Sequence, residues 1–445
     1  TYAAGDVLRL FFGKPEVSAD GRVLRVGDPA ENWHCVWTPG GCAVKMAETT
    51  AVAAIDTAEQ ERLRRDGEAL RLARREVKRQ LYFFCVEQTG KAFPWGSLTG
   101  IRPTLVAGEV LMETGAAAAA EAALQQRYGV RADKAALAVT TRLEEERLLA
   151  RFPESMCAVY IGIPFCPSRC FYCSFTLKEG IAPTEALKDA YVTALISEIR
   201  RTATWFRQPV RSVYIGGGTP TELNARQLDA LLSTVRGSLA LTEDCECCLE
   251  AGRPDTIDRE KLKVSLEWGF DRICINPQTM QDRTLKRIGR RHTAEETVQA
   301  VRLAQAFGFR DINMDLIAGL PGETVKDFAA TLDSVMCLHP SSVTVHSLAV
   351  KRSSDLNAAR VESGRTLAAY KSPHAAAEQM MTLAEQTLQA AGLRPYYLYR
   401  QKDGVGGLEN RMERSPEIKS VLSWLQRTDE MCDRKEAFFR DVTPG

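Results

Sequence analysis

The stretch Cys157-Ala158-Val159-Tyr160-Ile161-Gly162-Ile163-Pro164-Phe165-Cys166-Pro167-Ser168-Arg169-Cys170-Phe171-Tyr172-Cys173 decides how the rest of the chain is read. Its first seven residues are apolar or small without alternation, the pattern of a strand buried on both faces of a parallel sheet. Proline ends that run, and three cysteines follow at C-x3-C-x2-C spacing. Downstream, apolar runs at Val210–Ile215, Cys245–Glu250, Arg272–Ile275, Asn313–Ile317 and Val343–Leu348 alternate with helical patterns at 184–203, 225–236, 258–267, 294–307 and 323–336. Six strands with intervening helices predict an α/β domain over residues 155–350. An open doubly wound sheet and a partial barrel both fit. In either, functional residues collect at the carboxyl ends of the strands.

Outside this core the texture changes. Residues 1–46 carry short apolar segments, among them Val7–Phe12 and Val23–Val26, and read as a small strand-rich unit. Residues 47–154 read as a helical accessory region, interrupted by Pro94-Trp95-Gly96-Ser97-Leu98-Thr99-Gly100-Ile101-Arg102-Pro103, an ordered loop. Residues 351–445 form a C-terminal accessory, possible substrate-side region with a helix over 373–391 and the aromatic run Tyr396-Tyr397-Leu398-Tyr399. Across 445 residues, 58 Lys+Arg against 57 Asp+Glu leave a net charge of +1. That balance removes the broad basic footprint of a nucleic-acid binder, so no obligatory nucleic-acid partner is expected. No apolar run reaches the ~20 residues of a transmembrane helix, and residues 1–6 lack the basic-then-apolar pattern expected of a signal sequence. Thirteen cysteines in so long a chain are not a secreted disulfide framework, and a reducing cytoplasm is the expected compartment.

Three thiolates on one tight loop suit three irons of a cubic [4Fe–4S] cluster and leave the fourth iron open. Structural zinc is the competing reading and would need a fourth donor, for which His34 or Cys157 is available. The segment Gly216-Gly217-Gly218-Thr219-Pro220 ends the second core strand. It matches neither the phosphate-loop nor the dinucleotide fingerprint, so its glycines serve close backbone approach to a ligand. Cys245, Cys247 and Cys248 alternate across one strand and read as small buried residues, as does Cys274. Cys35 and Cys42 read as separate packing residues rather than a redox pair.

The cysteine loop, Tyr160 and the Gly216–Pro220 segment together resemble radical S-adenosylmethionine (SAM) enzymes. More closely, the chain resembles the oxygen-independent coproporphyrinogen III oxidase-like family, in its HemZ (coproporphyrinogen dehydrogenase) branch with a long N-terminal extension. The resemblance implies a partial (β/α)6 barrel with N- and C-terminal accessory regions. It implies that Cys166, Cys170 and Cys173 ligate a [4Fe–4S] cluster and are essential to catalysis. Tyr160, Tyr172, Gly217, Gly218, Thr219, Glu250, Gln278, Arg290, Asp315 and Ile317 match positions that bind S-adenosyl-L-methionine. The physical chemistry agrees: Glu250 can accept from an ammonium, Arg290 can neutralise a carboxylate, and Asp315 or Gln278 can bond ribose hydroxyls.

In the resembling family, reductive cleavage of SAM yields a radical that abstracts hydrogen from two propionate side chains. Coproporphyrinogen III becomes protoporphyrinogen IX, with a reducing electron donor and a separate electron acceptor as partners. Arg102 and Arg352 are available for substrate carboxylates, and His346 for a tetrapyrrole or the SAM pocket. Two departures stand out. Phe175 replaces a fourth cysteine found in established oxidases, as also in the haem-chaperone branch, and the family pattern after Asn410 is shortened. A cluster-containing haem chaperone or haem-binding protein, and a radical enzyme modifying another tetrapyrrole, are therefore carried as alternatives.

Overall fold

The computed structural model describes residues 2–12, the strand backbones within 16–54, and residues 67–100, 102–150, 157–174, 183–351, 354–356, 358–359, 374–400 and 408–416. Expectations for the side chains of His34, Cys35 and Cys42, and for Phe175 and Arg352, lie outside the described residues. The chain divides into two compact units, Thr1–Arg142 with Leu398–Glu409, and Leu143–Tyr397 with Asn410–Gly445.

The second unit is built on an eight-stranded sheet. Strands β6 (Cys157–Ile163), β7 (Val210–Gly217), β8 (Leu241–Ala251), β9 (Arg272–Ile275), β10 (Asp311–Ala318) and β11 (Ser342–Ser347) lie side by side in chain order. Every neighbouring pair among these six is parallel, with Tyr160 opposite Tyr214, Glu250 opposite Cys274, and Asn313 opposite Ser342. Strand β13 (Glu409–Arg414) adds antiparallel to β11, and β12 (Arg394–Arg400) closes the order beyond it. The sheet curls into a half-barrel flanked by helices, so the partial barrel, rather than the open doubly wound sheet, is the architecture formed.

Local sequence explains where the helices begin. Asn224 with Gln227, Thr293 with Glu296 and Thr324 with Asp327 form reciprocal capping boxes at helices Ala225–Ser238, Ala294–Phe307 and Val325–Met336. Each box satisfies two orphan donors and contributes about 1 kcal/mol. The first of these helices buries Leu228, Leu231, Leu232 and Val235 completely, at the 3–4 residue spacing of one helical face. They meet Ile161, Ile163, Val213, Ile215, Cys247 and Leu249 from the sheet. Each fully buried aliphatic side chain stabilises by roughly 1.5–3 kcal/mol.

The first unit contains an antiparallel five-stranded sheet, β1 (Glu16–Val17), β2 (Val23–Val26), β3 (Trp33–Thr38), β4 (Gly41–Met46) and β5 (Thr49–Ala54), each strand paired with the next. Two local expectations are corrected. Val7–Phe12 lies in helix Tyr2–Phe12, because Val7, Leu8 and Phe11 share one helical face packed with Leu81, Tyr82 and Cys85 of helix Gly67–Thr89. Thr49–Ala54, in a stretch expected to be helical, completes a strand pair with β4 from Gly41↔Ala54 to Met46↔Thr49; its β-branched residues suit that role.

Within the same unit the interrupted segment around Trp95 is a structural lock. The Trp95 indole donates to Glu409 Oε2 at 3.0 Å, and Lys134 Nζ donates to Glu409 Oε1 at 2.7 Å, all three residues being buried. Arg400 lies over the Trp95 ring and donates to the Leu98 carbonyl. Among the described residues, no helix is long and apolar enough to cross a membrane.

The buried pair gives a first prediction. Lys134→Met removes the ammonium paired with the buried Glu409 carboxylate and should destabilise this unit by about 3–5 kcal/mol. Lys134→Met combined with Glu409→Leu should recover much of the loss in urea unfolding followed by circular dichroism.

Candidate functional site

The cysteine loop leaves β6 at its carboxyl end and is held by backbone bonds on two sides. On the sheet side, Gly218 N donates to Ile163 O and Thr219 N to Phe165 O, both at 2.6 Å. On the other, Phe171 N donates to Ile288 O at 3.0 Å and Ser168 Oγ to Gly289 O at 2.9 Å. The loop closes on itself through Cys173 N to Cys170 O at 3.0 Å. Cys170 is buried, while Cys166 and Cys173 are half-buried. The Thr219 hydroxyl lies 3.5 Å from Cys166 Sγ. Burial pushes the Cys166 thiol up, opposed by the Thr219 hydroxyl and, more weakly, by Arg253.

The three glycines at the end of β7 and just beyond it each answer a steric demand. A Cβ on Gly216 would sit 2.4 Å from Glu250 Oε2, and one on Gly218 would sit 2.5 Å from Phe165 O. Gly217 has φ +105°, a conformation that side chains strongly disfavour. The segment lets the backbone of β7 touch the cysteine loop on one side and a carboxylate on the other.

That carboxylate belongs to Glu250, near the end of β8. It accepts from Gly217 N at 3.3 Å, and its pKa is pushed up to about 7 by burial first and then by the charge of Asp315. Asp315, on β10, accepts from Asn313 Nδ2 at 2.7 Å and faces His346 Nε2 at 3.5 Å. Burial works to raise its pKa, but His346 and Asn313 help hold it below the ordinary value. Gln278 sits between β9 and β10: its N–H donates to Asp315 O and its carbonyl accepts from Ile317 N, both at 2.9 Å. Its φ of 69° is one of two positive values among described non-glycine residues. Arg290 is buried and donates to the carbonyls of Gly252 at 3.0 Å and Asn276 at 2.5 Å. Although burial disfavours its charge, Tyr172 and Cys170 raise its pKa.

The structure therefore brings Cys166, Cys170, Tyr172, Gly217, Gly218, Thr219, Glu250, Gln278, Arg290 and Asp315 into one continuous contact network at the carboxyl ends of the strands. Tyr160 is 40% exposed and stacks on Tyr214, with centroids 5.8 Å apart. Ile317 is buried beside Gln278. Three buried side-chain atoms in this network, Asn276 Oδ1, Gln278 Oε1 and Arg290 Nε, have no hydrogen-bond partner. Such atoms cost free energy unless a ligand satisfies them.

Residues 160–335 match the radical SAM superfamily. They form a radical SAM domain. The chain is also 39% identical over 334 residues to the oxygen-independent coproporphyrinogen-III oxidase-like protein HemZ of Bacillus subtilis, covering 72% of this chain and 64% of that protein. It is 34% identical over 197 residues to the heme chaperone HemW of the same organism, covering 44% of this chain and 51% of that protein. The chain thus spans less than two thirds of these relatives. The solved structure of coproporphyrinogen III oxidase (HemN) from Escherichia coli, described as a radical SAM enzyme, superposes with a TM-score of 0.50 at 26% identity, over 64% of this chain and 61% of that one.

Within the radical SAM domain, sequence reasoning missed four contributors. Arg253, Asp255 and Ser168 contact the cysteine loop or each other, and Arg253-Pro254-Asp255 offered only an ordinary turn in sequence. His292 joins them at 3.6 Å from Asp255. Among the described residues no three His, Cys, Asp or Glu side chains gather tightly enough for a single metal ion. A cubic cluster makes a different demand, with thiolates on separate corners. Of the remaining strand cysteines, Cys247, Cys248 and Cys274 are buried as expected, Cys248 and Cys274 touching at 3.7 Å inside the sheet, while Cys245 is only half-buried. Tyr396 and Tyr397 are buried within the second unit, so neither ring is free to stack on a flat ligand; the Arg414 guanidinium covers Tyr396.

Glu250 yields a pH prediction. A carboxyl with a folded pKa near 7 against an unfolded value near 4.5 keeps its proton in the native state while the unfolded chain loses it. Native stability therefore falls as pH rises from about 4.5 to about 7 and stays low above that. Glu250→Gln should raise the stability of the ligand-free protein at pH 8 on the order of 2 kcal/mol and flatten that pH window in thermal melts.

Proposed function

We propose that this chain is an oxygen-independent coproporphyrinogen III dehydrogenase, carrying out radical-mediated oxidative decarboxylation to protoporphyrinogen IX. The observation that carries the reading is the position of the Cys166–Cys173 loop, fixed at the carboxyl end of the first barrel strand beside unsatisfied buried polar atoms. The 39% identity to HemZ supports the substrate class.

The residues fit the implied groups. Cys166, Cys170 and Cys173 would hold a [4Fe–4S] cluster, since three thiols on one loop leave one iron of a cubic cluster for another ligand. Tyr160, Tyr172, Gly217, Gly218, Thr219, Glu250, Gln278, Arg290, Asp315 and Ile317 would hold S-adenosyl-L-methionine. When bound, cluster and SAM supply the one-electron chemistry that removes hydrogen from an unactivated C–H bond. The chain's own residues would bind and orient. Glu250 offers an acceptor for an amino-acid end, and the side-chain-free backbone at Gly217 and Gly218 allows a ligand to approach beside it. Arg290 carries the cation for a carboxylate, and its Nε is an unused donor. Asp315, held ionised next to His346, and Gln278, with an unused amide oxygen, suit vicinal hydroxyls. Ile317 supplies an apolar surface for a base.

The partners follow from the balance of the reaction. Each of two propionate side chains loses one hydrogen atom, one electron and CO2 to become vinyl. A reducing donor is therefore needed to start each cycle, and a separate acceptor takes the electron left over. Likeness to HemW and the Phe175 substitution support a second reading, a cluster-containing haem chaperone.

Anaerobic reconstitution with iron and sulfide should give iron–sulfur absorption in the wild type and none in Cys170→Ala. Adding coproporphyrinogen III, SAM, reductant and an electron acceptor should then give protoporphyrinogen IX, with Cys170→Ala at background. Stoichiometric haem retention without turnover would move the assignment to the chaperone. One zinc per chain without iron–sulfur absorption would overturn both readings.

A further inference from the structure

Arg253 occupies the turn after β8 and is only 2% exposed. Its guanidinium makes four contacts at once. Nη1 lies 3.6 Å from Cys170 Sγ and 3.3 Å from the Ser168 carbonyl, Nη2 donates to Ser168 Oγ at 2.9 Å, and Nε faces Asp255 Oδ1 at 3.3 Å. A buried guanidinium is costly unless paired and hydrogen-bonded. Here one edge is paired with a carboxylate, while the other is spent on the cysteine loop. Asp255 is shared with His292, and its pKa is lowered to about 2: burial alone would raise it, but His292 and Arg253 prevail. The carboxylate thus stays ionised and holds the guanidinium by its Nε side. The positive charge least cancelled locally is the one beside the Cys170 sulfur.

A neutral thiol has little use for this arrangement. A thiolate that shares charge with a metal cluster has two uses for it. The forked donors fix the Ser168–Cys170 segment, which a point charge could not do at three acceptors together. A fixed cation near the sulfur, in an interior of low dielectric, also favours whichever oxidation state carries more negative charge.

We propose that Arg253 is a positioning and redox-tuning residue of the cysteine loop, its guanidinium making one-electron reduction of the bound cluster more favourable. The inference rests on the reading of Cys170 as a cluster ligand and goes beyond it. The one-electron step is balanced by the external reducing donor already required by the reaction, and Arg253 exchanges no proton or electron.

The test is a redox titration of the full chain, reconstituted anaerobically, with the reduced cluster followed by electron paramagnetic resonance. Arg253→Gln keeps donors but loses the charge, and Arg253→Met loses both. Each should make reduction roughly tenfold less favourable, a shift of about 59 mV to more negative potential for a one-electron couple. Arg253→Lys keeps the charge and should stay nearer the wild type, with iron content reduced because the fork is lost. Asp255→Asn removes the opposing charge and should shift the potential in the opposite, less negative direction. A merely structural role cannot produce that reversal. Exposed Arg226→Gln is the control and should not move the potential.

Midpoints in Arg253→Gln and Asp255→Asn equal to the wild type, or shifted with the same sign, would overturn the inference even if iron content fell. A wild-type protein that takes up no iron–sulfur cluster would instead remove the reading of Cys170 on which the inference stands.

Discussion

Two backbone hydrogen bonds, Gly218 to Ile163 and Thr219 to Phe165, set the place of everything at the carboxyl end of the sheet. They require the main chain after β7 to lie against the main chain after β6 with no side chain between them. Glycine at 216, 217 and 218 is what permits this: one position clears Glu250, one adopts a left-handed conformation, and one clears the Phe165 carbonyl. Because the same glycines face a carboxylate on their far side, the cysteine loop and Glu250 are fixed relative to each other through three residues of backbone.

The parallel strand order extends that arrangement. Six strands in chain order put six carboxyl ends along one rim, and each strand contributes a polar group near its end or in the turn beyond it. The groups are not independent. Glu250 feels Asp315, Asp315 is held by His346, Gln278 joins β9 to β10, and Arg290 ties the turns after β8 and β9 to the loop bearing Cys170. Low dielectric makes such a network strong when satisfied and costly where it is not. Its unsatisfied atoms are concentrated where a ligand carrying both charge and hydroxyls would be bound.

Much of this was legible in the sequence because the carriers are local. C-x3-C-x2-C after an apolar run, three consecutive glycines, and the alternation of strand and helix are all patterns of near neighbours. Even the strand cysteines followed from the two-residue period. What could not be read depends on partners far along the chain. Arg253 meets Ser168 and Cys170 across more than 80 residues, and nothing in Arg253-Pro254-Asp255 distinguishes it from a solvated turn. Val7–Phe12 offered an alternating pattern, but packing with Leu81, Tyr82 and Cys85 selected the helix. Tyr396 and Tyr397 belong to an aromatic run expected on the substrate side, whereas both rings are buried.

Gln278 carries one more consequence. A glutamine at φ 69° pays for its backbone conformation with roughly 1 kcal/mol or more that a glycine would not lose, and its amide oxygen is buried without a partner as well. Selection for thermal endurance alone would replace it, since glycine would keep both backbone bonds to β10 and shed the strain. Laboratory evolution of this chain toward heat resistance should therefore be steered away from position 278, where, on the SAM-binding role proposed for Gln278, gains in melting temperature and losses in ligand affinity would arrive in the same substitution.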